Sequence, residues 1–299
     1  MEPTLIVISG PTATGKTAAA VALAKHLGTE VIGADSRQFY HAMRIGTARP
    51  SAEDQGGIAH HFIGHLDLET TWSAGTFARQ AEPVLQNILA TNGSAVMAGG
   101  SGLYLDAVLK GLDPLPQTDP RLREKLQRRS EKEGLAKLAE ELHRLDAITW
   151  ARIDRNNPHR VIRALEVCLI TGRPLSAQRS TPVDRTDLRI VRIALDVPRE
   201  ELYTRIDARV DAMVAAGLVQ EARSLLPWRH LNALRTVGYR ELFMHFDGHL
   251  GLEEAIALIK QHTRNYAKRQ LTWLRRDAGW RWKAPSDIKG MLDLVRNAL

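Results

Sequence analysis

The eight residues Gly10-Pro11-Thr12-Ala13-Thr14-Gly15-Lys16-Thr17 constrain this chain more than any other stretch. They fit the pattern G-x-x-x-x-G-K-[ST], and their flanks give that pattern a physical meaning. Before them, Leu5-Ile6-Val7-Ile8 is a short, apolar, β-branched run bounded by Gly10 and Pro11, which predicts a buried strand. After them, an alanine-rich run over 18–27 carries Val21, Leu23 and Leu27 for burial and meets Gly28 as a stop, which predicts a helix. A strand that turns through glycines into a helix aims bare backbone N–H groups and the positive dipole end at one anion. Lys16 adds a point charge, and the Thr17 hydroxyl can sit on a Mg2+ ion that bridges phosphate oxygens. The loop therefore predicts phosphate binding, without saying which phosphate compound.

With 299 residues and 44% hydrophobic content, the chain can bury a substantial core as one large domain or two modest ones. One cysteine, Cys168, excludes a disulfide framework and a cysteine-based zinc site, so a reducing cytoplasm is the expected compartment. The sequence enters its first strand without a basic-then-apolar leader, and no apolar segment reaches membrane-spanning length, so no membrane partner is expected. A net charge of +7 is compatible with a polyanionic partner.

Downstream, Glu30-Val31-Ile32-Gly33-Ala34 predicts a second strand ending at Asp35-Ser36-Arg37-Gln38-Phe39-Tyr40. In open α/β sheets ligands gather beyond the carboxyl ends of the strands, so Asp35 faces the phosphate loop as a candidate acid or base; capping the next helix is the alternative. The stretch 46–50 and the pair His60-His61 read as ordered loops, and a metal site made by that pair alone is not expected, since adjacent side chains point apart. A helix follows from Ser73 to Asn92-Gly93, then a third strand over 95–98 and a second glycine loop, Gly99-Gly100-Ser101-Gly102. Three strand ends bearing polar or glycine residues converge on one pocket, with Ser101 expected near Lys16 and Asp35.

The Pro- and Asp-rich stretch 112–120 reads as a linker into a charged helical segment divided by Gly134, which includes Arg123. Asn157-Pro158 starts a helix that Gly172 stops; Val161, Ile162, Leu165, Cys168 and Leu169 share one arc and His159, Arg160 and Arg163 the opposite one. A strand over 188–197 ends near Asp196, which resembles the metal-side aspartate of nucleotide hydrolases. The helix after it places Arg205 and Arg209 beside a buried face, as candidates for clamping phosphate. The last long helix, over about 252–276, carries Lys260, Arg264, Lys268 and Arg275 on one stripe without Asp or Glu after Ala255, the footprint of a nucleic-acid backbone contact or a solvated face. The expected architecture is α/β: a P-loop NTPase-like parallel sheet with flanking helices over 1–113 and 187–299, and a small all-helical insertion over 114–186.

In order along the chain, residues 10–17, Asp-Ser-Arg-Gln-Phe-Tyr at 35–40, Gly-Thr-Ala-Arg-Pro at 46–50 and Gly-Gly-Ser-Gly-Leu-Tyr at 99–104 resemble the signatures of the tRNA dimethylallyltransferases, also called tRNA isopentenyltransferases. Asn157 to Glu166, Gly238-Tyr239-Arg240-Glu241, and Tyr266 to Trp273 extend the resemblance over nearly the whole chain. Thr14 and Ser101 stand where the family often has Ser and Thr, and both keep a hydroxyl. Without a zinc-finger extension or a second cysteine, the chain resembles the bacterial type.

That resemblance implies transfer of a dimethylallyl group from dimethylallyl diphosphate to N6 of an adenine beside the tRNA anticodon, with Mg2+ as cofactor. Under it Lys16, Arg209, the loop amides and a Thr17-bound Mg2+ stabilise the leaving diphosphate, Asp35 is the base, and Ser101 orients the base or the diphosphate. Ser36, Arg37 and Gln38 hold the flipped adenine by its edges, joined by Asp35 and Ser101. Arg123, His159, Arg160, Val161, Ile162 and Arg163, with Lys260, Arg264 and Lys268, hold the anticodon stem and loop. A monomer is expected. Two other readings use the same loop: an ATP-dependent small-molecule kinase, which transfers phosphate without RNA, and a nucleotide-switched RNA-binding protein, which forms no product.

Overall fold

Thr4–Ser9 (β1) is buried along its whole length because both faces of the sheet it belongs to are covered. The computed structural model describes residues 2–113, 115–179 and 185–297. With Val31–Gly33 (β2), His60–His61 (β3), Ser94–Ala98 (β4), Arg189–Leu195 (β5) and Arg281–Lys283 (β6), β1 forms a six-stranded sheet in the order β3-β2-β4-β1-β5-β6. Every pairing is parallel, and β1 lies between β4 and β5, with Thr4 opposite both Ser94 and Arg189. Alternation along the strands divides the core in two: Leu5, Val7, Ile32 and Met97 enter one apolar cluster, while Ile6, Ile8, Val31 and Val96 enter the other. Each such side chain contributes about 1.5–3 kcal/mol by leaving water.

Lys16–Leu27 (α1), Ala52–Gln55 (α2), Ala74–Asn92 (α3) and Gly102–Leu109 (α4) follow the first strands. Ala19, Ala20, Leu23 and Ala24 of α1 cover one face of the sheet, and Phe77, Ala81, Leu85 and Ile88 of α3 the other. The left-handed backbone at Gly28 and Gly93, φ 60° and 71°, stops α1 and α3 where the sequence predicts. His60-His61 departs from its loop expectation. The pair forms an edge strand against β2, where His61 Nε2 also lies 2.6 Å from Glu30 Oε2. An unpaired strand edge is completed by any short extended segment beside it, whatever its composition.

By chain contacts the molecule divides into two units, Met1–Leu109 with Arg185–Leu299, and Lys110–Asp184, a few residues from the joins read at 113/114 and 186/187. The second unit is helical: Pro120–Glu133 (α5), Leu135–Leu145 (α6), Ala147–Arg152 (α7) and Pro158–Thr171 (α8). Gly134, with φ 88°, separates α5 from α6. Leu126, Leu138, Val161, Ile162 and Leu165 form its main apolar cluster. Leu169, expected on that arc, is 42% exposed, because the buried arc of α8 is centred nearer Ala164 and Val167. Pro114 of the expected linker lies outside the described residues, as do 180–184.

The first unit resumes with β5, then Arg199–Ala215 (α9), Leu218–Ser224 (α10), Tyr239–Phe246 (α11), Leu252–Leu274 (α12) and Ile288–Arg296 (α13). Among the described residues no helix is long and apolar enough to cross a membrane.

Candidate active site

Beyond the carboxyl end of β1 the chain curls through Gly10–Thr17 into α1. Gly15 makes the turn with φ 84°, a conformation that favours glycine, and Ala13 adopts φ 65° at the cost of local strain. The Thr14 hydroxyl donates to the Pro11 carbonyl at 2.8 Å and stiffens the curl from inside. Lys16 Nζ donates to the Gly10 and Pro11 carbonyls at 3.0 and 2.7 Å, which holds the ammonium against the loop. Burial lowers its pKa to about 8, with Asp35 opposing that shift and Arg209 adding to it.

Thr12, Ala13, Gly15, Lys16 and Thr17 line a cavity of about 480 Å³; Gly10, Pro11 and Thr14 of the same loop are not among its lining residues. Six cationic side chains, those of Lys16, Arg37, Arg209, Arg235, Arg240 and Arg269, line it with one carboxylate among the described lining residues, Asp35. Ile206, Val210, Met213, Leu218 and Ile259 give it apolar wall. Such a space suits an anion joined to a small apolar group.

Asp35 follows β2, and the helix that the capping alternative requires is not there: residues 36–39 are turns, and Asp35 Oδ1 accepts from Arg37 N at 3.1 Å. Its carboxylate is thereby oriented at the strand end. Gly99, after β4, is a requirement of the same edge, since a Cβ there would meet the Ala34 carbonyl oxygen at 2.2 Å. Ser101 departs in part from its expected place. Its hydroxyl accepts from Ser36 N at 3.0 Å and donates to Ser36 Oγ at 3.1 Å, so it supports the lining from behind.

Two further lining residues are already engaged. Gln38 Nε2 donates to the Thr47 and Ala48 carbonyls, both at 3.1 Å, which leaves the amide an acceptor and removes the donor half of the bidentate adenine contact. Arg37 Nη1 donates to the Asn232 and Ala233 carbonyls at 2.9 and 3.1 Å, tying the turn after β2 to the segment before α11. Glu221 of α10 holds the segment behind the wall: its carboxylate accepts from the backbone N–H groups of Arg44, Ile45 and Gly46 and from the Tyr239 hydroxyl.

From α9, Arg209 reaches the cavity with Nη1 3.4 Å from Thr12 Oγ1. Burial pushes its pKa down, and Asp35 and Asp54 oppose the shift. Arg205, grouped with it in sequence, instead pairs with Glu201 on the outside of α9. Asp196 is exposed and does not line the cavity; its N–H donates to the Lys283 carbonyl.

The basic stripe of α12 is paired to carboxylates of its own unit. Lys260 lies 2.6 Å from Asp211 and Arg264 2.5 Å from Asp207, so both neutralise carboxylates of α9, and Lys268 sits beside Tyr203 of the same helix. Counting charges within α12 alone could not find acids carried by another helix. Replacing Lys260 and Arg264 together by alanine is expected to lower stability by roughly 0.5–1 kcal/mol, less at high salt. Urea unfolding at two ionic strengths measures this, and an unchanged midpoint would show the pairs to be idle. The face of α12 that does line the cavity carries Thr263, Tyr266, Arg269 and Gln270, residues the stripe argument passed over.

In the second unit, taken by itself, His159 and Arg160 are exposed on the first turn of α8. Val161 and Ile162 are 0% and 6% exposed in the unit's core, which withdraws their side chains from any partner and corrects their reading as contact residues. Arg123 and Arg163 both donate to Glu166 Oε2, at 2.6 and 2.7 Å, and Glu166 is fully buried. Much of their charge is therefore spent inside the unit.

A parallel sheet with a glycine-lysine loop after its first strand, facing a cationic cavity lined by Asp35, defines a P-loop-type α/β protein. The family model described as IPP transferase matches residues 38–277, and the chain belongs to that family. It is 46% identical to a tRNA dimethylallyltransferase of Cytophaga hutchinsonii, over 99% of this chain and 97% of that one. It is 43% identical to another of Christiangramia forsetii, over 100% and 99%. A solved structure of a tRNA isopentenylpyrophosphate transferase from Bacillus halodurans superposes with a TM-score of 0.73 at 36% identity, covering 99% of this chain and 96% of that one.

Proposed function

We propose that this chain transfers the dimethylallyl group of dimethylallyl diphosphate to N6 of the adenine beside the anticodon of tRNA, giving N6-isopentenyladenosine and diphosphate. The observation that carries the reading is the cavity itself, where Asp35 is the one lining carboxylate among the described residues and shares the space with Lys16, Arg209 and the glycine loop. The family to which the chain belongs supports the same reaction. In the transfer, the N6 lone pair forms a bond to C1 of the prenyl group, the C1–O bond breaks with its electrons going to diphosphate, and the N6 proton passes to Asp35. Lys16, Arg209 and the loop N–H groups meet the charge that develops on the leaving diphosphate. The apolar wall formed by Val210, Met213 and Ile259 receives the five-carbon chain.

Thr17 offers a hard oxygen donor to the same cavity, and among the described residues no group of three His, Cys, Asp or Glu side chains could hold a metal unaided. That donor fits Mg2+, which keeps several waters and shares substrate phosphate oxygens. Bound there it would neutralise diphosphate charge. His159 and Arg160, exposed on α8, are suited to tRNA phosphates, with Arg123 and Arg163 as weaker contributors because Glu166 holds them. The protein acts as a monomer in the cytoplasm on this reading.

The test is to incubate the chain and Mg2+ with unmodified tRNA and either labelled dimethylallyl diphosphate or labelled ATP, followed by nucleoside analysis. Label on adenosine from the prenyl donor alone supports the reading. Phosphate transferred from ATP to a small acceptor, with no labelled adenosine, contradicts it.

The lowered pKa of Lys16 adds a pH dependence with a definite sign. The ammonium that attracts diphosphate is lost as pH rises through about 8. Affinity for dimethylallyl diphosphate is therefore expected to fall about tenfold for each pH unit above that point. Lys16→Arg flattens the profile, because a guanidinium stays charged throughout. Equilibrium titration of both proteins between pH 7 and 10 measures the difference, and parallel profiles would remove Lys16 charge as its cause.

A further inference from the structure

Gln270, near the end of α12, joins the two glycine loops of the site. Its Oε1 accepts from Thr12 N at 2.9 Å and its Nε2 donates to the Gly100 carbonyl at 2.9 Å, although 258 and 170 residues separate the partners. The residue is only 7% exposed, and its amide makes both of these bonds across the site. Its approach requires glycine opposite: a Cβ on Gly100 would lie 2.3 Å from Nε2. The same helix face continues the contact, with Tyr266 lining the cavity and Trp273 packed where a Cβ on Gly102 would meet its ring at 2.3 Å. Positions 266, 270 and 273 are spaced four and three apart, the spacing of one helical face.

We propose that Gln270 is a positioning residue that fixes the diphosphate loop against the loop carrying Ser101. It thereby holds the donor half of the cavity in register with the half built on Ser36 and Asp35. This rests on the proposed transfer reaction. Because Thr12 N–H is held by Gln270, the loop amides that remain for diphosphate are those further along, toward Lys16 and Thr17. Loss of the bridge lets two rigid loops shift by a fraction of an ångström relative to each other. In-line transfer suffers from such a shift far more than binding at either half does.

The test compares full-length wild type, Gln270→Met and Gln270→Glu in single-turnover transfer from dimethylallyl diphosphate to unmodified tRNA. At pH 8 both variants are expected to lose about 100-fold in rate at saturating substrates, with KM for each substrate within about threefold of wild type. Gln270→Glu carries the diagnostic signal. Protonated, its carboxyl can again accept from Thr12 N–H and donate to the Gly100 carbonyl, so its rate relative to wild type is expected to rise at least about tenfold between pH 8 and pH 6. Gln270→Met, which cannot regain either bond, keeps a flat ratio. A merely structural role would instead lower the unfolding midpoint of both variants without a pH-dependent recovery. Near-wild-type rates in either variant, a loss confined to KM, or a flat ratio for Gln270→Glu overturns the inference. Absence of transfer by wild type would overturn the proposed function itself, so the two failures are distinguishable.

Discussion

Asp35→Asn is expected to slow prenyl transfer by about 10³-fold at saturating tRNA and donor, because a base acts on the proton as N6 attacks and contributes that order of rate. Asparagine keeps the size of the side chain and an oxygen for the Arg37 N–H that now bonds Asp35 Oδ1, so the turn after β2 persists. What is lost is the capacity to take a proton. KM for tRNA is expected to stay within about threefold, since binding energy at other contacts is untouched. Rapid-quench measurement of labelled nucleoside separates the two parameters. A wild-type rate would take Asp35 out of proton transfer.

The second large effect belongs to Arg209. Its replacement by alanine is expected to lower kcat/KM for dimethylallyl diphosphate by about 10²–10³, the range found when one preorganised charge-stabilising donor is removed from an enclosed site. The side chain reaches toward Thr12 from α9, and burial already lowers its pKa, so its charge acts through little intervening water. Arg209→Lys is expected to restore little of the loss, because an ammonium lacks the planar fork that meets two phosphate oxygens. Titration with inorganic diphosphate provides a second readout, and unchanged affinity in Arg209→Ala would place the residue outside the leaving-group site.

How far the sequence revealed this site follows from the range of the interactions involved. The glycine loop, Gly28 and Gly93 as helix stops, and Asp35 at a strand end are local or edge-directed features, and each stands where its neighbours in sequence predict. Ser101 stands at the expected sheet edge, but its bonds to Ser36, 65 residues away in sequence, turn it behind the lining rather than into the cavity. On α12 the sequence showed periodicity and charge yet not which face turned inward. The stripe of Lys260 and Arg264 meets Asp211 and Asp207 of α9, while Thr263, Tyr266, Arg269 and Gln270 meet the cavity. Tyr266 and Gln270 lie in a stretch that the family resemblance had already marked, so the signal was present without its orientation. Val161 and Ile162 show the converse, because a motif that includes exposed His159 and Arg160 also contains the apolar residues that seat its helix.

The central claim is that one cavity brings the acceptor nitrogen, Asp35 and the prenyl diphosphate together. It is tested most directly by a crystal structure of the chain with an anticodon stem-loop and an unreactive thiolo analogue of dimethylallyl diphosphate. Adenine N6 is expected within about 3.5 Å of the prenyl C1 and within about 3.2 Å, or one water, of an Asp35 oxygen, with the diphosphate on Lys16 and Arg209. An adenine that remains stacked outside the cavity, or a diphosphate seated away from the glycine loop, would contradict it.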